Sequence, residues 1–221
     1  MSDVKEEVNE EVSPPAVYEI DVSGSVNEEM GLQVARAVRA NTERLPFLFY
    51  ISSTGGDANV GLVMNDVIDT IMAPVTFVAQ NFVGSMAVTL MQKPEYLRLC
   101  YKHTRFLCHD LKITIVGNMS EASNQLNNAG IVSDTMLDRY SECTGLEGDE
   151  LRKKVFDRDR IYSAQQALDI GTRGLVDGII LRDFGLHKYL CRTRGGLKVI
   201  DITKHSGKDV EGLPVWEPPK K

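Results

Sequence analysis

The sequence predicts an α/β domain built on a mostly parallel β-sheet. Short apolar runs typical of buried strands, such as FLFYIS at 47–52, alternate with segments whose apolar residues recur at helical spacing, such as VGLVMNDVIDTIM at 60–72. Glycine-containing turns, such as TGGDAN at 54–59, separate these segments. The 221 residues, 43% of them hydrophobic, suit one substantial domain. Strands that are buried on both faces and connected through helices are characteristic of parallel sheets.

The first half of the chain contains two predicted strand–helix units. Apolar and polar residues alternate at 17–22 up to a turn at Gly24, which predicts the first strand. The helix that follows has Asn27 as its N-cap and two glutamates in its first turn, where carboxylates complement the helix dipole. The runs at 47–52 and 60–72 form the second unit.

The same alternation continues further along the chain. A strand is predicted at 75–79 and a helix at 85–92, with a loop at 81–84 between them. TRFLCH, at 104–109, reads as a short strand with His109 at its exit.

Two further helices and a strand complete the predicted domain. The segment 120–144 is helical in character, and Gly130 is expected to break or kink it. Ser163 and Gln166 form a capping box for a helix that ends near Gly171. GLVDGII, at 174–180, is the last predicted strand of the alternating pattern.

The composition divides the chain into three parts. Residues 1–16 form an acidic flexible tail that ends at Pro14-Pro15, residues 17–182 form the domain, and residues 183–221 form a C-terminal extension. The strand–helix alternation stops in the extension, where LKVIDIT at 197–203 is the one strand-like piece.

Charge and composition exclude several classes of protein. The net charge is −6 and no basic cluster precedes Lys220-Lys221, which argues against nucleic-acid binding. No apolar run approaches the roughly 18 residues that a membrane helix needs, and the acidic N-terminus does not resemble a signal peptide. The four cysteines lack metal-ligand spacing, so we expect reduced thiols in the cytoplasm and neither a metal nor another cofactor.

Three junctions at strand exits carry the candidate chemistry, because functional groups of open α/β folds collect where strands end. Gly55-Gly56 exposes backbone N–H groups after a buried strand. Ser85 opens a helix, where unpaired N–H groups and the helix dipole suit a developing oxyanion. His109 directly follows an apolar strand. Together these residue types point to a serine hydrolase.

Each residue also has a simpler interpretation. The glycine pair can be an ordinary turn, Ser85 an N-cap, and His109 a polar residue at a strand end. Cys108 is a weaker candidate nucleophile, because it lies within the apolar run RFLC and such cysteines usually pack as small hydrophobic residues.

The acid that would orient His109 has several candidates. Asp110 is a poor one, because neighbouring side chains on an extended strand point apart. The segment FDRDRIYSAQQAL offers Asp157 and Asp159, although such a charge run is often only a solvated surface with local Asp–Arg pairing.

The sequence resembles the proteolytic subunit of the Clp ATP-dependent serine protease from about residue 18 to residue 180. YISSTGGDANVGLVMNDVI is similar to that family's strand, Ser-Pro-Gly-Gly turn and helix, and VGSMAVTLM to its Ala-Ser-Met-Gly nucleophile segment. TRFLCH is similar to its Arg-x-x-x-His strand, and DRDRIYSAQQALDIGTRGLVD to its Glu-Arg-Asp-Arg-x-x-(Ser/Thr)-Ala block. The four blocks occur in the family's order and spacing. The resemblance implies the ClpP/crotonase-like α/β fold, with βαβ repeats.

The resemblance also implies a serine endopeptidase that cleaves peptides or unfolded proteins inside an oligomeric ring chamber through an acyl-enzyme. Carried across residue by residue, it makes Ser85 the nucleophile, His109 the general base and Asp159 the orienting acid, with Asp157 as the runner-up. Its oxyanion hole would use backbone N–H groups of Gly55, Gly56 and Met86.

The implied assembly is a homo-oligomer, a heptameric ring or a double ring. The implied partners are a Clp-type AAA+ unfoldase, which would use any ATP, or a host subunit of the same type. The crotonase fold also contains acyl-CoA enzymes, but that chemistry does not require these three residues together.

The chain departs from the family in several places. Thr54 replaces a proline and Ala87 a glycine, and DLKITIVG stands after His109 where the family has Gln-Pro and a glycine pair. The C-terminal extension has no counterpart. Such changes fit a divergent member, from a virus or as a non-standard paralogue. They also fit an alternative function, an inactive or partner-dependent structural or regulatory subunit of a mixed ring.

Overall fold

The structure, a computed structural model, describes residues 17–204, so the predicted acidic tail and the end of the extension lie outside the described residues. Within this range the strands are β1 (Tyr18–Val26), β2 (Phe47–Gly56), β3 (Val75–Gly84), β4 (Leu97–Tyr101), β5 (Arg105–Cys108), β6 (Arg160–Ser163), β7 (Gly178–Asp183), β8 (Lys188–Thr193) and β9 (Gly196–Asp201). The α-helices are α1 (Glu28–Ala40), α2 (Ala58–Asp69), α3 (Met86–Met91), α4 (Met119–Thr144), α5 (Gly148–Leu151) and α6 (Ala164–Asp169). A π-helical turn (Arg152–Phe156) follows α5, and a 3-10 turn (Ile202–Lys204) follows β9.

The nine strands of residues 17–204 form one sheet, in which seven strands follow the order β1-β2-β3-β4-β7-β8-β9 and β5 and β6 lie off this path. Strands β1 to β4 and β7 run parallel, whereas β7, β8 and β9 pair in antiparallel fashion. Strand β5 pairs in parallel with the end of β3 and in antiparallel fashion with β6. The predicted α/β architecture with a mostly parallel sheet is confirmed.

Both faces of the sheet are covered, which explains the apolar runs at β2 and β3. Alternate residues such as Phe49 and Phe77 enter a large core together with the helices. Their neighbours Leu48 and Val78 enter a second core that also contains Tyr189 from β8. Since successive strand residues point to opposite faces, a strand buried on both faces must be apolar throughout.

The segment after Arg182 continues the same sheet. Strand β7 extends to Asp183, so a boundary at 182 falls inside this strand. Strands β8 and β9 then form a hairpin beside β7, and their buried residues Cys191 and Ile200 belong to the second core. This part of the predicted extension therefore packs as the edge of the sheet.

Three details of the prediction are wrong. Strand β1 continues through Gly24, which lies at φ +97° next to a register shift in the pairing with β2 rather than in a terminating turn. Residues 81–84 belong to β3 and do not form a loop, and residues 82–84 pair with β5. Helix α4 is unbroken, because a glycine in a helix interior costs only about 1 kcal/mol and Gly130 meets no packing constraint.

Three strands, β4, β6 and β8, lack a clear sequence signal because charged residues interrupt them. Arg98 in β4 is fully buried, and its guanidinium donates hydrogen bonds to Asp177 at 2.7 and 3.1 Å. Burial opposes the charge, but the attraction of Asp177 raises the pKa of Arg98. Such a pairing joins residues far apart in the chain, and no local pattern predicts it.

Helix α4 is anchored at one end only. Its C-terminal half buries Met136 and Tyr140, and Arg139 donates a 2.8 Å hydrogen bond to Asp69 of α2. Its N-terminal half projects, with 87% of Met119 and 67% of Ile131 exposed. The anchored half positions the helix beside the candidate site.

Candidate active site

Ser85 lies at the sharp turn between β3 and α3. Its backbone has φ +53° and ψ −128°, a conformation that L-residues rarely adopt. The Ser85 N–H donates a 2.7 Å hydrogen bond to the carbonyl of Leu107 in β5, which holds the turn against the neighbouring strand. Ser85 occupies the N-cap position of α3, but its side chain makes no capping hydrogen bond there. A strained serine at a strand-to-helix turn is typical of a nucleophile position.

The Gly55-Gly56 turn of β2 packs directly against this serine. A methyl group at Gly55 would lie 2.6 Å from the carbonyl oxygen of Gly84 and 2.6 Å from Cβ of Ser85, and φ at Gly55 is +88°. Both facts demand glycine. The Gly55 N–H donates to Oγ of Ser53 at 3.1 Å, so it serves its own turn.

The predicted oxyanion donors therefore divide into two groups. Gly56 and Met86 line the cleft beside Ser85, whereas Gly55 stands behind it as a packing element. A methyl group at Gly55 would lie 3.0 Å from the backbone nitrogen of Met86, which places the two turns in contact.

The helix that begins at Ser85 is buried along its whole length, Met86–Met91. Helix α2 approaches it closely, because a methyl group at Gly61 would lie 2.2 Å from Cγ of Met86. The small residues at these contacts let α2, β2 and α3 lock the turn in place.

A cleft of about 520 Å³ opens in front of Ser85. His109 lies on its wall, and the segment 110–115 and helix α4 complete it. Met86 and Met136, both buried, form part of its apolar lining. The structure thus brings two of the three predicted triad residues, Ser85 and His109, to one cleft.

His109 lies directly after β5 and is half-buried. Its Nδ1 is 2.5 Å from the backbone carbonyl oxygen of Asp110. A carbonyl can only accept, so this contact requires the proton on Nδ1 and leaves Nε2 as the basic nitrogen. Burial raises the pKa of the adjacent Cys108 to about 12, which makes that thiol a poor nucleophile at neutral pH.

Asp159 lies directly before β6 and is exposed. Its Oδ2 accepts a 3.0 Å hydrogen bond from Nζ of Lys112, an ion pair that the sequence reasoning did not anticipate. Asp157, the runner-up, lies 3.8 Å from Nε of Arg158, the local pairing expected of a charge run. Within residues 17–204, no hydrogen bond joins His109 to Ser85 or to Asp159.

The observed pairing of β5 with β6 ends one residue before His109 and Asp159. Strands β5 and β6 are antiparallel, with Cys108 opposite Arg160. Continued by one residue, the same register sets His109 opposite Asp159. Directly opposed residues have Cβ atoms about 4.5–5.5 Å apart, close enough for a histidine–carboxylate hydrogen bond after side-chain rotation.

The described residues add two general observations. Between residues 17 and 204, no helix combines the length and apolar character needed to cross a membrane. All four cysteines of the chain are buried and form no disulfide.

A model of the Clp protease family matches residues 17–183. The chain belongs to the Clp protease family. Its matched region contains every strand from β1 to β7 and all of the candidate site residues. At the family level this makes the chain a serine-peptidase-type proteolytic subunit with the fold of that family.

Curated relatives agree with the family match. The chain is 32% identical over 139 residues to the ATP-dependent Clp protease proteolytic subunit 1 of Chlamydia muridarum, which covers 61% of this chain and 70% of the relative. It is 27% identical over 161 residues to the ATP-dependent Clp protease proteolytic subunit of Paracoccus denitrificans, covering 72% and 80% of the two chains. For the subunit of Deinococcus radiodurans the identity is 29% over 132 residues, covering 59% and 63%.

Proposed function

We propose that this Clp protease family member is a serine endopeptidase in which Ser85 is the nucleophile, His109 the general base and Asp159 the orienting acid. The observation that carries the proposal is the strained, uncapped turn of Ser85, which faces the same cleft as His109. A substrate carbonyl in this cleft meets the hydroxyl and the turn of Gly56 together.

The reaction follows from these positions. Nε2 of His109 takes the Ser85 proton as Oγ attacks the peptide carbonyl, and the oxyanion receives hydrogen bonds from the N–H groups of Gly56 and Met86. His109 then protonates the leaving amine, which frees the first product. Water, deprotonated by His109, hydrolyses the ester and regenerates Ser85. No metal or other cofactor takes part.

Asp159 supports the reaction by orienting His109. A carboxylate on Nδ1 fixes the required tautomer and stabilises the imidazolium that forms. The β5–β6 register supports this role for Asp159 over Asp157, which stands two residues away along the chain.

We propose further that the chain acts as a homo-oligomeric ring in the cytoplasm, heptameric or doubled, which encloses the cleft and admits peptides or unfolded chains. Exposed apolar side chains near the cleft support an intersubunit contact; they are Ile113, Ile115, Val116, Met119, Leu126 and Ile131. A Clp-type AAA+ unfoldase is the expected partner. Analytical ultracentrifugation tests the ring, and a monomer that cleaves unfolded proteins contradicts the enclosed chamber.

The direct test of the activity is labelling by a fluorophosphonate probe together with cleavage of a small fluorogenic peptide. The Ser85→Ala variant is expected to lose both, because it removes the proposed nucleophile. Ser123→Ala is the matched control, since Ser123 is an exposed serine on α4. Labelling that survives in Ser85→Ala contradicts the assignment.

A second candidate function is a partner-dependent subunit of a mixed ring. The observation that favours it is the resting state of the acid and base, in which His109 contacts the Asp110 carbonyl and Asp159 contacts Lys112. Under this alternative, Ser85 is unlabelled in the isolated protein and becomes labelled after a host-type subunit is added. A homo-oligomer with full activity excludes it.

A further inference from the structure

One short segment supplies a partner to both members of the expected histidine–aspartate pair. The backbone carbonyl of Asp110 contacts Nδ1 of His109 at 2.5 Å, and Nζ of Lys112 contacts Oδ2 of Asp159 at 3.0 Å. The first contact occupies Nδ1, the atom that a His109–Asp159 hydrogen bond would use, and the second engages one of the two carboxylate oxygens of Asp159. The β5–β6 register, continued by one residue, sets the two residues opposite each other, but each contacts a partner in the segment 110–112 instead.

We propose that Lys112 is an inhibitory positioning residue that holds the Asp159 carboxylate away from His109. The inference rests on the proposed function and adds to it a resting state set by this chain's own residues. Lys112 does not touch the reacting atoms; it acts through Asp159.

The segment that carries Lys112 is held at both ends, which makes this contact a defined one. The segment begins after β5 at His109. At its other end, the side chain of Gln125 in α4 forms hydrogen bonds with the backbone of Val116. Nε2 of Gln125 donates to the Val116 carbonyl at 2.7 Å, and the Val116 N–H donates to Oε1 at 3.3 Å. Between these points the segment lines the cleft, so a movement that opens the cleft also moves Lys112.

The size of the effect follows from exposure. The side chains of Lys112 and Asp159 are 70% and 60% exposed, and water screens their attraction. Exposed ion pairs shift a two-state equilibrium by about five-fold at most. Lys112 therefore shifts the equilibrium toward the state in which Asp159 does not contact His109. A partner that competes for Asp159 reverses this shift.

A carbodiimide cross-link tests the contact without relying on activity. The reagent joins an amine and a carboxylate that touch, forming an amide while the lost water converts the carbodiimide to a urea. Peptide mass spectrometry is expected to find Lys112 joined to Asp159. The exposed pair Lys154–Glu150, with 2.6 Å between Nζ and Oε1, is the internal control. A cross-link at the control pair without one at Lys112–Asp159 overturns the proposal.

Kinetics test the consequence. Lys112→Met is expected to increase the rate of Ser85 labelling and kcat by about two- to five-fold with little change in KM, whereas Lys112→Arg keeps the wild-type values because it keeps the ion pair. Lys102→Met, at an exposed turn outside the cleft, controls for the loss of one surface charge.

The possible outcomes separate the two proposals. Unchanged labelling in Lys112→Met, beside an active wild type, overturns the role of Lys112 and leaves the proposed function standing. Loss of activity in Lys112→Met with retained folding also overturns the inhibitory role. Absence of labelling in every variant, the wild type included, contradicts the proposed function, and the cross-link then reports only the contact.

Discussion

The turn that carries Ser85 is packed against β2 and leads into the buried helix α3, with the cleft on its open side, whereas the strand ends that carry His109 and Asp159 reach the surface. Glycine at position 55 fits against Ser85 with no space for a methyl group, and the whole of α3 is buried. Asp159, by contrast, is exposed and engaged by an exposed lysine.

This difference shows that the two halves of the site, the Ser85 turn and the strand ends with His109 and Asp159, are held in place by different interactions. The half that carries Ser85 is fixed by small residues and backbone strain. The base–acid half depends on side-chain pairings at the surface, which exchange at little cost. In the proposed mechanism, the site is thus preorganised around the oxyanion donors and adjustable at the base and the acid.

The largest effect is expected when a methyl group is added to the half of the site that carries Ser85, here called the rigid half. Gly55→Ala forces a close contact with Ser85 and a left-handed backbone on alanine, so we expect a loss of about 2–5 kcal/mol in the free energy of unfolding. Labelling of Ser85 in the remaining folded protein should fall by at least about ten-fold, as the contact displaces a residue of the reacting turn.

Gly24→Ala is the matched control for this variant. Gly24 also has a positive φ, +97°, but nothing lies within 4 Å of the added methyl group. It should therefore lose only the backbone cost of about 1–2 kcal/mol and keep its labelling rate. Equal effects from the two variants, measured by chemical denaturation and labelling, contradict the packing argument.

Replacing the proposed base, His109, tests the half of the site that carries His109 and Asp159, here called the adjustable half. His109→Ala is expected to lower peptide cleavage by about 10²- to 10⁴-fold while the fold, followed by circular dichroism, stays intact. His103→Ala, at the exposed turn before β5, should retain activity. Cleavage by His109→Ala at the wild-type rate would assign the base to another residue.

The contact between Asp69 and Arg139 anchors helix α4 beside the cleft. Changing it should have an intermediate effect on stability, with a defined pH dependence. Burial raises the pKa of Asp69, but hydrogen bonds from Arg139 and Tyr96 and the charges of Arg139 and Lys93 outweigh it and leave the pKa below its ordinary value of 3.8. The folded state is therefore stabilised above about pH 4, and this stabilisation is lost as the pH falls through the lowered pKa.

Asp69→Asn should accordingly lower the free energy of unfolding by about 1–3 kcal/mol at neutral pH and flatten its decline in acid. Asp66→Asn, an exposed carboxylate on the same helix, should do neither. Urea denaturation at several pH values measures both. A steeper acid decline in Asp69→Asn than in the wild type contradicts the assigned network.

The smallest effect is expected where the segment 110–116 meets α4. Gln125→Ala removes two exposed hydrogen bonds to Val116, so stability should change by less than about 1 kcal/mol. Hydrogen exchange at 110–116 should nevertheless accelerate. Asn127→Ala, exposed on the same helix, is the comparison, and identical exchange in the two variants would show that Gln125 does not hold the segment.

The sequence predicts the rigid half better than the adjustable one, for a physical reason. Buried strands and the Asn27 cap depend on neighbouring residues and leave local patterns, and the structure contains both, whereas Gly55 and Gly56 continue strand β2 where the sequence predicts a turn after it. The contact between Lys112 and Asp159 depends on the pairing of β5 with β6, a strand too short and too charged to be recognised. Local periodicity does not show which strands pair with each other or in what register.

The edge of the sheet teaches the same lesson. The strand-like piece at 197–203 is recognisable in the sequence and corresponds to β9. Its partner β8 carries charges near both ends, so no alternating pattern predicts it. Its buried residues Tyr189 and Cys191 pack on strands more than 80 residues away, a contact that emerges only in three dimensions.

The most direct test of the central claim is a crystal structure of the protein treated with a peptide phosphonate that forms a covalent adduct with serine nucleophiles. The account predicts phosphorus bonded to Oγ of Ser85, a phosphonyl oxygen hydrogen-bonded to the N–H groups of Gly56 and Met86, and a Ser85 turn unchanged from the free protein. An adduct on any other residue, or an unmodified Ser85 in protein that cleaves peptides, would contradict it.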